Sequence, residues 1–166
     1  MLIIFAGLPG TGKTTLARAL AARTGAVYLR VDTIEHALTT SNGSGKIAGP
    51  EGYVVAYALA TENLRLGRDV IADSVNPVPE TRDAWRTAGE QAGAEIHEIE
   101  IVCSDMTEHR RRVETRGSDI DGFRLPSWQA VLDRDYRTWR RDRIAIDTAG
   151  RDIDDCLSEL CARLGL

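Results

Sequence analysis

Gly7-Leu8-Pro9-Gly10-Thr11-Gly12-Lys13-Thr14 sets glycines, one lysine and one hydroxyl at the spacing G-x-x-x-x-G-K-[ST], directly after a short apolar run and directly before a helical pattern. Residue types in that order suit one chemistry. Gly7, Pro9, Gly10, Thr11 and Gly12 let the backbone wrap a phosphate closely, and the helix that follows turns its first N–H groups and positive dipole end toward it. Lys13 then reaches the β- and γ-phosphates of a nucleotide, the Thr14 hydroxyl ligates Mg²⁺, and Thr15 reaches the α-phosphate.

Other residues carry chemistry in weaker patterns. Val70-Ile71-Ala72-Asp73 is an apolar run closing in a carboxylate, a second candidate support for Mg²⁺. Asp32, in Leu29-Arg30-Val31-Asp32-Thr33-Ile34-Glu35, is a carboxylate at a strand end, and D-x-x-E is also a helix-capping signature. After Asp73, the turn bearing Ser74, Asn76 and Arg82 lies at the carboxyl end of a strand, where open α/β sheets bind ligands; Asn-Pro is equally an ordinary turn former. Asp105 to Glu108 reads as a capping box, and the helix it opens carries Arg110, Arg111, Arg112 and Arg116. Arg112 and Arg116, four apart, share a face. Arg110 and Arg111 are expected to face water, and Arg124 lies in the loop beyond. His97, where the apolar spacing of Ile96, Ile99 and Ile101 changes phase, suggests a bulge or strand end. Tyr53 with Tyr57, and Trp85, Trp128 and Trp139, read as packing residues, and Ser127 as a cap.

Asp147-Thr148-Ala149-Gly150 looks like the D-x-x-G of a GTPase. It falls at the last apolar run, however, and no N-K-x-D segment exists to read guanine. ATP is the expected nucleotide.

The elements that must position these residues alternate. Apolar runs of strand length occur at 2–6, 26–31, 69–72, 96–103 and 143–146. Helical spacing occupies 13–23, 33–38, 53–66, 80–91, 107–115, 128–139 and 154–164. The alternation predicts an α/β domain with a mainly parallel sheet covered on both faces. Two segments interrupt it: the glycine-rich stretch 39–52 and the polar loop 117–126. Each is either a plain connection or a closing element over a site.

At 166 residues the chain has the length of one domain, enough to bury roughly 70% of its unfolded surface without a staple. A net charge of −4 argues against a dedicated nucleic-acid binder, while a few clustered arginines still act locally on phosphates. Three cysteines with no CxxC and no zinc-spaced histidine suggest a reducing compartment. The apolar opening has no basic n-region, and no run reaches a membrane span, so a cytoplasmic protein is expected.

Taken together, the phosphate loop, Asp32, Asp73 and the R-x-x-x-R helix resemble the small P-loop kinases of the nucleoside-monophosphate-kinase class. The nearest likenesses are zeta toxins, chloramphenicol phosphotransferase and the kinase domain of polynucleotide kinases, with their AAA-type ATP-binding core. The resemblance spans nearly the whole chain. It implies a P-loop NTPase three-layer α/β/α fold, a five-stranded parallel sheet in the order 2-3-1-4-5, and one kinase domain over 1–166 with a substrate segment at 39–52 and a lid at about 112–127. It also implies Mg²⁺-ATP as phosphoryl donor and a small-molecule hydroxyl as acceptor. Asp32 would take the acceptor's proton, and Arg112 and Arg116 would clamp adenine and phosphates. Asp73, Asn76, Arg82 and Arg124 would face the acceptor, and Asp147-Thr148 would lie on the adenine side or simply cap the last helix. Two other readings share these motifs: a polynucleotide 5′-hydroxyl kinase, and an ATPase or switch without an acceptor.

Overall fold

β1 (Leu2–Ala6) is five consecutive buried residues, the pattern of a central parallel strand covered on both faces. It lies between β3 (Val70–Asp73) and β4 (Ile96–Val102), with β2 (Val27–Arg30) and β5 (Ile144–Asp147) at the edges. All pairings are parallel and the order is β2-β3-β1-β4-β5, as the resemblance implied. The computed structural model describes residues 1–41 and 49–166.

Alternation along the strands divides the core. Ile3, Phe5, Ile71, Ile99, Ile101 and Ile146 pack against Leu16, Ala17 and Leu20 of α1 (Lys13–Thr24) and Cys156, Leu160 and Leu164 of α7 (Ile153–Leu164). Leu2, Ile4, Val70 and Ala72 pack on the other side, against Ala56, Ala60 and Leu64 of α3 (Glu51–Arg65) and Trp85 of α4 (Pro79–Gln91). Trp85 is fully buried with Tyr57 edge-on to it at 4.7 Å, and Tyr53 and Tyr57 border this second core, so all three pack as their spacing suggested. α5 (Met106–Thr115) and the short α6 (Trp128–Leu132) complete the elements with α2 (Val31–Ser41).

Three local expectations change. β4 pairs continuously with β1 from Ile96 to Glu100, without a bulge. Ile96 packs on one sheet face and Ile99 and Ile101 on the other; the apparent phase shift arises because Glu98 and Glu100, sharing a face with Ile96, are buried carboxylates. Helix 128–139 stops at Leu132, because Tyr136 and Trp139 are drawn onto the sheet by Glu100 and Arg82: the Tyr136 hydroxyl donates to Glu100 Oε1 at 3.0 Å and Arg82 stacks on Trp139 at 4.1 Å. α2 begins at Val31, directly after β2, so Asp32 lies inside its first turn rather than capping it from outside. Of the glycine-rich stretch 39–52, residues 42–48 lie outside the described residues; 39–41 end α2, and 51–52 begin α3.

Candidate active site

The strand register sets the site. Asp73, the last residue of β3, is level with Phe5 on one side and Arg30 on the other, so the loop after β1, Asp73 and the end of β2 meet in one row. Gly7 has φ +142° and Gly10 φ +89°, conformations that favour glycine. Space forbids a side chain there as well, since a Cβ on Gly7 would lie 2.3 Å from the Ile101 carbonyl oxygen and one on Gly10 2.4 Å from Val113 Cγ2. α5 thus presses on the loop, and His109 Nε2 lies 2.9 Å from the Pro9 carbonyl oxygen. Thr11 closes its own turn, donating to the Leu8 carbonyl at 2.9 Å. No side chain caps α1 at Gly12, which suits an anion held by its first N–H groups.

A cavity of about 590 Å³ opens at this end of the sheet, lined by Gly10, Gly12, Lys13, Thr14 and Thr15, by Arg112 and Arg116, and by Arg18, Arg30, Asp119, Thr148 and Arg151. Lys13 Nζ is 3.6 Å from Asp73 Oδ1, and Asp73 is only 2% exposed. The Tyr28 hydroxyl donates to Asp73 Oδ2 at 2.7 Å, and burial together with that carboxylate pushes the phenol well above its ordinary pKa. Thr14 and Asp73 supply the hard oxygen donors that Mg²⁺ takes, and the buried Asp73 carboxylate is aimed by two partners. These residues therefore fit the metal.

Arg112 is held by three hydrogen bonds. Its guanidinium donates to Thr148 Oγ1 at 2.8 Å, the Thr148 carbonyl at 2.9 Å and Glu108 Oε1 at 2.7 Å. Glu108 Oε2 in turn accepts from the Gly150 N–H at 2.8 Å, so it serves the arginine and the last loop rather than closing a capping box. Asp105 alone caps α5, accepting from Thr107 and Glu108. Ser127 caps α6, and α7 is capped by Asp152, not by Asp147 or Thr148. Asp147 accepts from the Ser104 and Ala149 N–H groups, and Thr148 beside it lines the cavity.

Arg116 also lines the cavity, where its Nε has no hydrogen-bond partner among the described residues. Burial lowers its pKa, opposed by the nearby Asp32 carboxylate. Asp32 is 37% exposed and 3.7 Å from the Arg30 guanidinium. Behind it, burial and the Asp32 charge raise the Glu35 carboxyl, and burial pushes the Tyr53 phenol up to about 12.

Two residues expected to face an acceptor do not join this cluster. Asn76 is fully buried with φ +46°, its amide donating to the Phe5 carbonyl at 2.8 Å, so it ties β3 to β1. Arg82 is buried among carbonyls, donating to Asn76 at 2.9 Å, Pro77 at 3.1 Å and Arg137 at 2.8 Å. An asparagine and an arginine near a strand end look the same in sequence whether they bind ligands or the chain's own carbonyls. Arg124 is exposed in the loop before α6. Conversely, Arg18, Arg30 and Asp119 line the cavity and Tyr28 holds Asp73, and none of the four carried a motif. Tyr28 and Arg30 share a face of β2 at i, i+2, the single sequence-level trace of their common direction.

A family model described as an AAA domain matches residues 2–134. No curated protein matches in sequence. Solved structures match over nearly the whole length. A gluconokinase from Sinorhizobium meliloti aligns over 98% of this chain and 90% of its own at 19% identity and a TM-score of 0.66. The APS kinase of Mycobacterium tuberculosis, in complex with AMPPNP and APS, aligns over 99% and 97% at 21% identity and 0.71. A sugar kinase from a Janibacter species aligns over 99% and 94% at 16% identity and 0.70. At these identities the likeness establishes the fold. Among the described residues no helix is long and apolar enough to cross a membrane.

Proposed function

The chain belongs to the AAA domain family, and on that premise we propose that its residues 1–166 form a single Mg²⁺-dependent kinase domain that moves the γ-phosphoryl group of ATP to a hydroxyl of a small molecule. The observation that carries the reading is one cavity lined at once by the glycine cradle with Lys13 and Thr14 and by Arg112 and Arg116, with Asp32 beside it across Arg30. The names of the structural neighbours, gluconokinase, APS kinase and sugar kinase, support it.

In this reading the backbone of 7–12 and the N-terminus of α1 hold the β-phosphate, and Lys13 bridges to the γ-phosphate. Thr14 and Asp73 would hold Mg²⁺, which neutralises phosphate charge when bound. The acceptor oxygen forms a bond to the γ-phosphorus as the bond from that phosphorus to the β,γ-bridging oxygen breaks, ADP keeps the electron pair, and the hydroxyl proton passes to the Asp32 carboxylate. Arg112 and Arg116 place guanidinium donors toward the charge on the transferring group. Arg112 is already oriented by Thr148 and Glu108, so little ordering remains at the moment of reaction.

The test is a panel of hydroxylated metabolites and antibiotics scored for acceptor-dependent ADP release. Lys13→Ala is expected to abolish release. Asp32→Asn is expected to slow turnover by about 10²–10⁴ while nucleotide binding is kept. Unchanged transfer in Asp32→Asn would remove Asp32 as the base, and ADP release indifferent to every acceptor would leave a simple ATPase.

A further inference from the structure

The nucleotide reading accounts for Lys13, Arg112 and Arg116 but leaves a second group of charges on the same wall. The cavity is lined by six basic side chains, Lys13, Arg18, Arg30, Arg112, Arg116 and Arg151, against two acidic ones, Asp119 and Asp152. Arg30 is the most unusual of them. Its side chain is 7% exposed, at the end of an edge strand, and its Nε is buried without a partner among the described residues. Burying a guanidinium is expensive unless its donors are met. Burial alone would lower the Arg30 pKa, yet Asp119, Asp32 and Asp73 together hold it above the ordinary value.

What meets it is Asp119, from the loop between α5 and α6. Both Asp119 oxygens accept from Arg30, at 2.9 and 2.8 Å, and Oδ2 also pairs with Arg18 at 2.6 Å. Those bonds hold the Asp119 carboxyl below the usual carboxylate range. Both carboxylate oxygens thus lie against one guanidinium nitrogen, Nη1, a charge-assisted contact of the kind arginine also makes with planar or tetrahedral oxyanions. Arg30 is also 3.7 Å from Asp32, so a ligand oxyanion placed on Arg30 brings a neighbouring hydroxyl within reach of the proposed base.

We propose that Arg30, with Arg18, is the subsite for an oxyanion carried by the acceptor, and that Asp119 is a built-in competitor for it. The acceptor class is then a hydroxyl compound bearing a carboxylate, sulfate or phosphate, and its binding exchanges the Asp119 salt bridge and releases the 117–126 loop. This deepens the kinase reading and rests on it for the word acceptor; the anion subsite itself does not.

Sodium sulfate, inorganic phosphate and sodium acetate, titrated separately at constant ionic strength into protein saturated with Mg²⁺-AMPPNP, read the subsite apart from the phosphate loop. The shift in thermal midpoint is the signal. Asp119→Asn removes the competing charge and is expected to lower the half-maximal concentration of at least one anion about tenfold. Adding Arg30→Met to Asp119→Asn should abolish the response, and adding Arg30→Lys, which keeps the charge but not the planar array of guanidinium donors, should weaken it. Equal responses in wild type and Asp119→Asn, or a response surviving Arg30→Met, would overturn the proposal. In a second arm, hydroxy acids and their amides are compared as acceptors. Turnover of the acids alone, with a lower KM in Asp119→Asn, is expected; equal turnover of the amides overturns the acceptor class. An anion response without any acceptor turnover would uphold the subsite and sink the kinase reading, so the two failures are separable.

Discussion

Single residues differ in how far their neighbours in sequence reveal them. Lys13 and Thr14 were legible because the chemistry of the loop is local: backbone, lysine and hydroxyl converge within eight positions. Arg112 was legible as part of an i, i+4 pair, but its partner Thr148 was not, since Thr148 is brought up from the far end of the chain. Thr148 is 5% exposed; its hydroxyl lies 2.8 Å from the Thr11 carbonyl oxygen and 3.1 Å from that of Val102 while accepting from Arg112. Thr148→Val keeps the shape and loses all of this. It is expected to cost about 1–3 kcal/mol, lowering Tm by roughly 2–4 °C for each kcal/mol in a chain of this size. It should also raise the KM for ATP, because Arg112 loses one of the three acceptors that orient it. A thermal melt and a steady-state titration check both.

At the scale of elements, the alternation of strands and helices was readable because each period reports its own backbone. The exceptions lie where a distant charge decides. Glu98 and Glu100 read as polar interruptions in an apolar strand, yet they are buried under the irregular segment 133–143. Glu98 accepts from Arg141 at 2.6 and 2.7 Å and lies 3.4 Å from Arg86, while Glu100 accepts from Arg143 at 2.6 Å and Tyr136 at 3.0 Å. These pairs hold 133–143 against the sheet in place of the helix that the pattern of 128–139 suggests. Glu98→Ala leaves Arg141 and Arg86 without their buried acceptor and is expected to destabilise by about 1.5–3 kcal/mol. Faster proteolysis within 133–143 should accompany the fall in Tm, whereas loss of stability without that local cleavage would mean the segment is held by Trp139 instead.

The cavity is a property of the whole molecule, assembled from α1, the end of β2, α5, the loop after it and the turn before α7. A nucleotide bound there links all of them, so Mg²⁺-ATP at a hundred times its Kd should stabilise the fold by about 2.7 kcal/mol. Differential scanning fluorimetry should show a rise in Tm that is lost in Lys13→Ala. A rise that persists in that variant would place the nucleotide elsewhere. By itself the sequence determined the phosphate loop, the kinds of element and their alternation, since each depends on residues within a turn or a strand of one another. The sheet order came from the family likeness, and the tertiary structure bears it out. Only the tertiary structure decided which arginines reach the cavity and which are spent on the chain's own carbonyls. It alone joined Tyr28 to Asp73 and Asp119 to Arg30. Those pairings span 45 and 89 residues, and at such separations the spacing along the chain carries no record of which charge a carboxylate will meet.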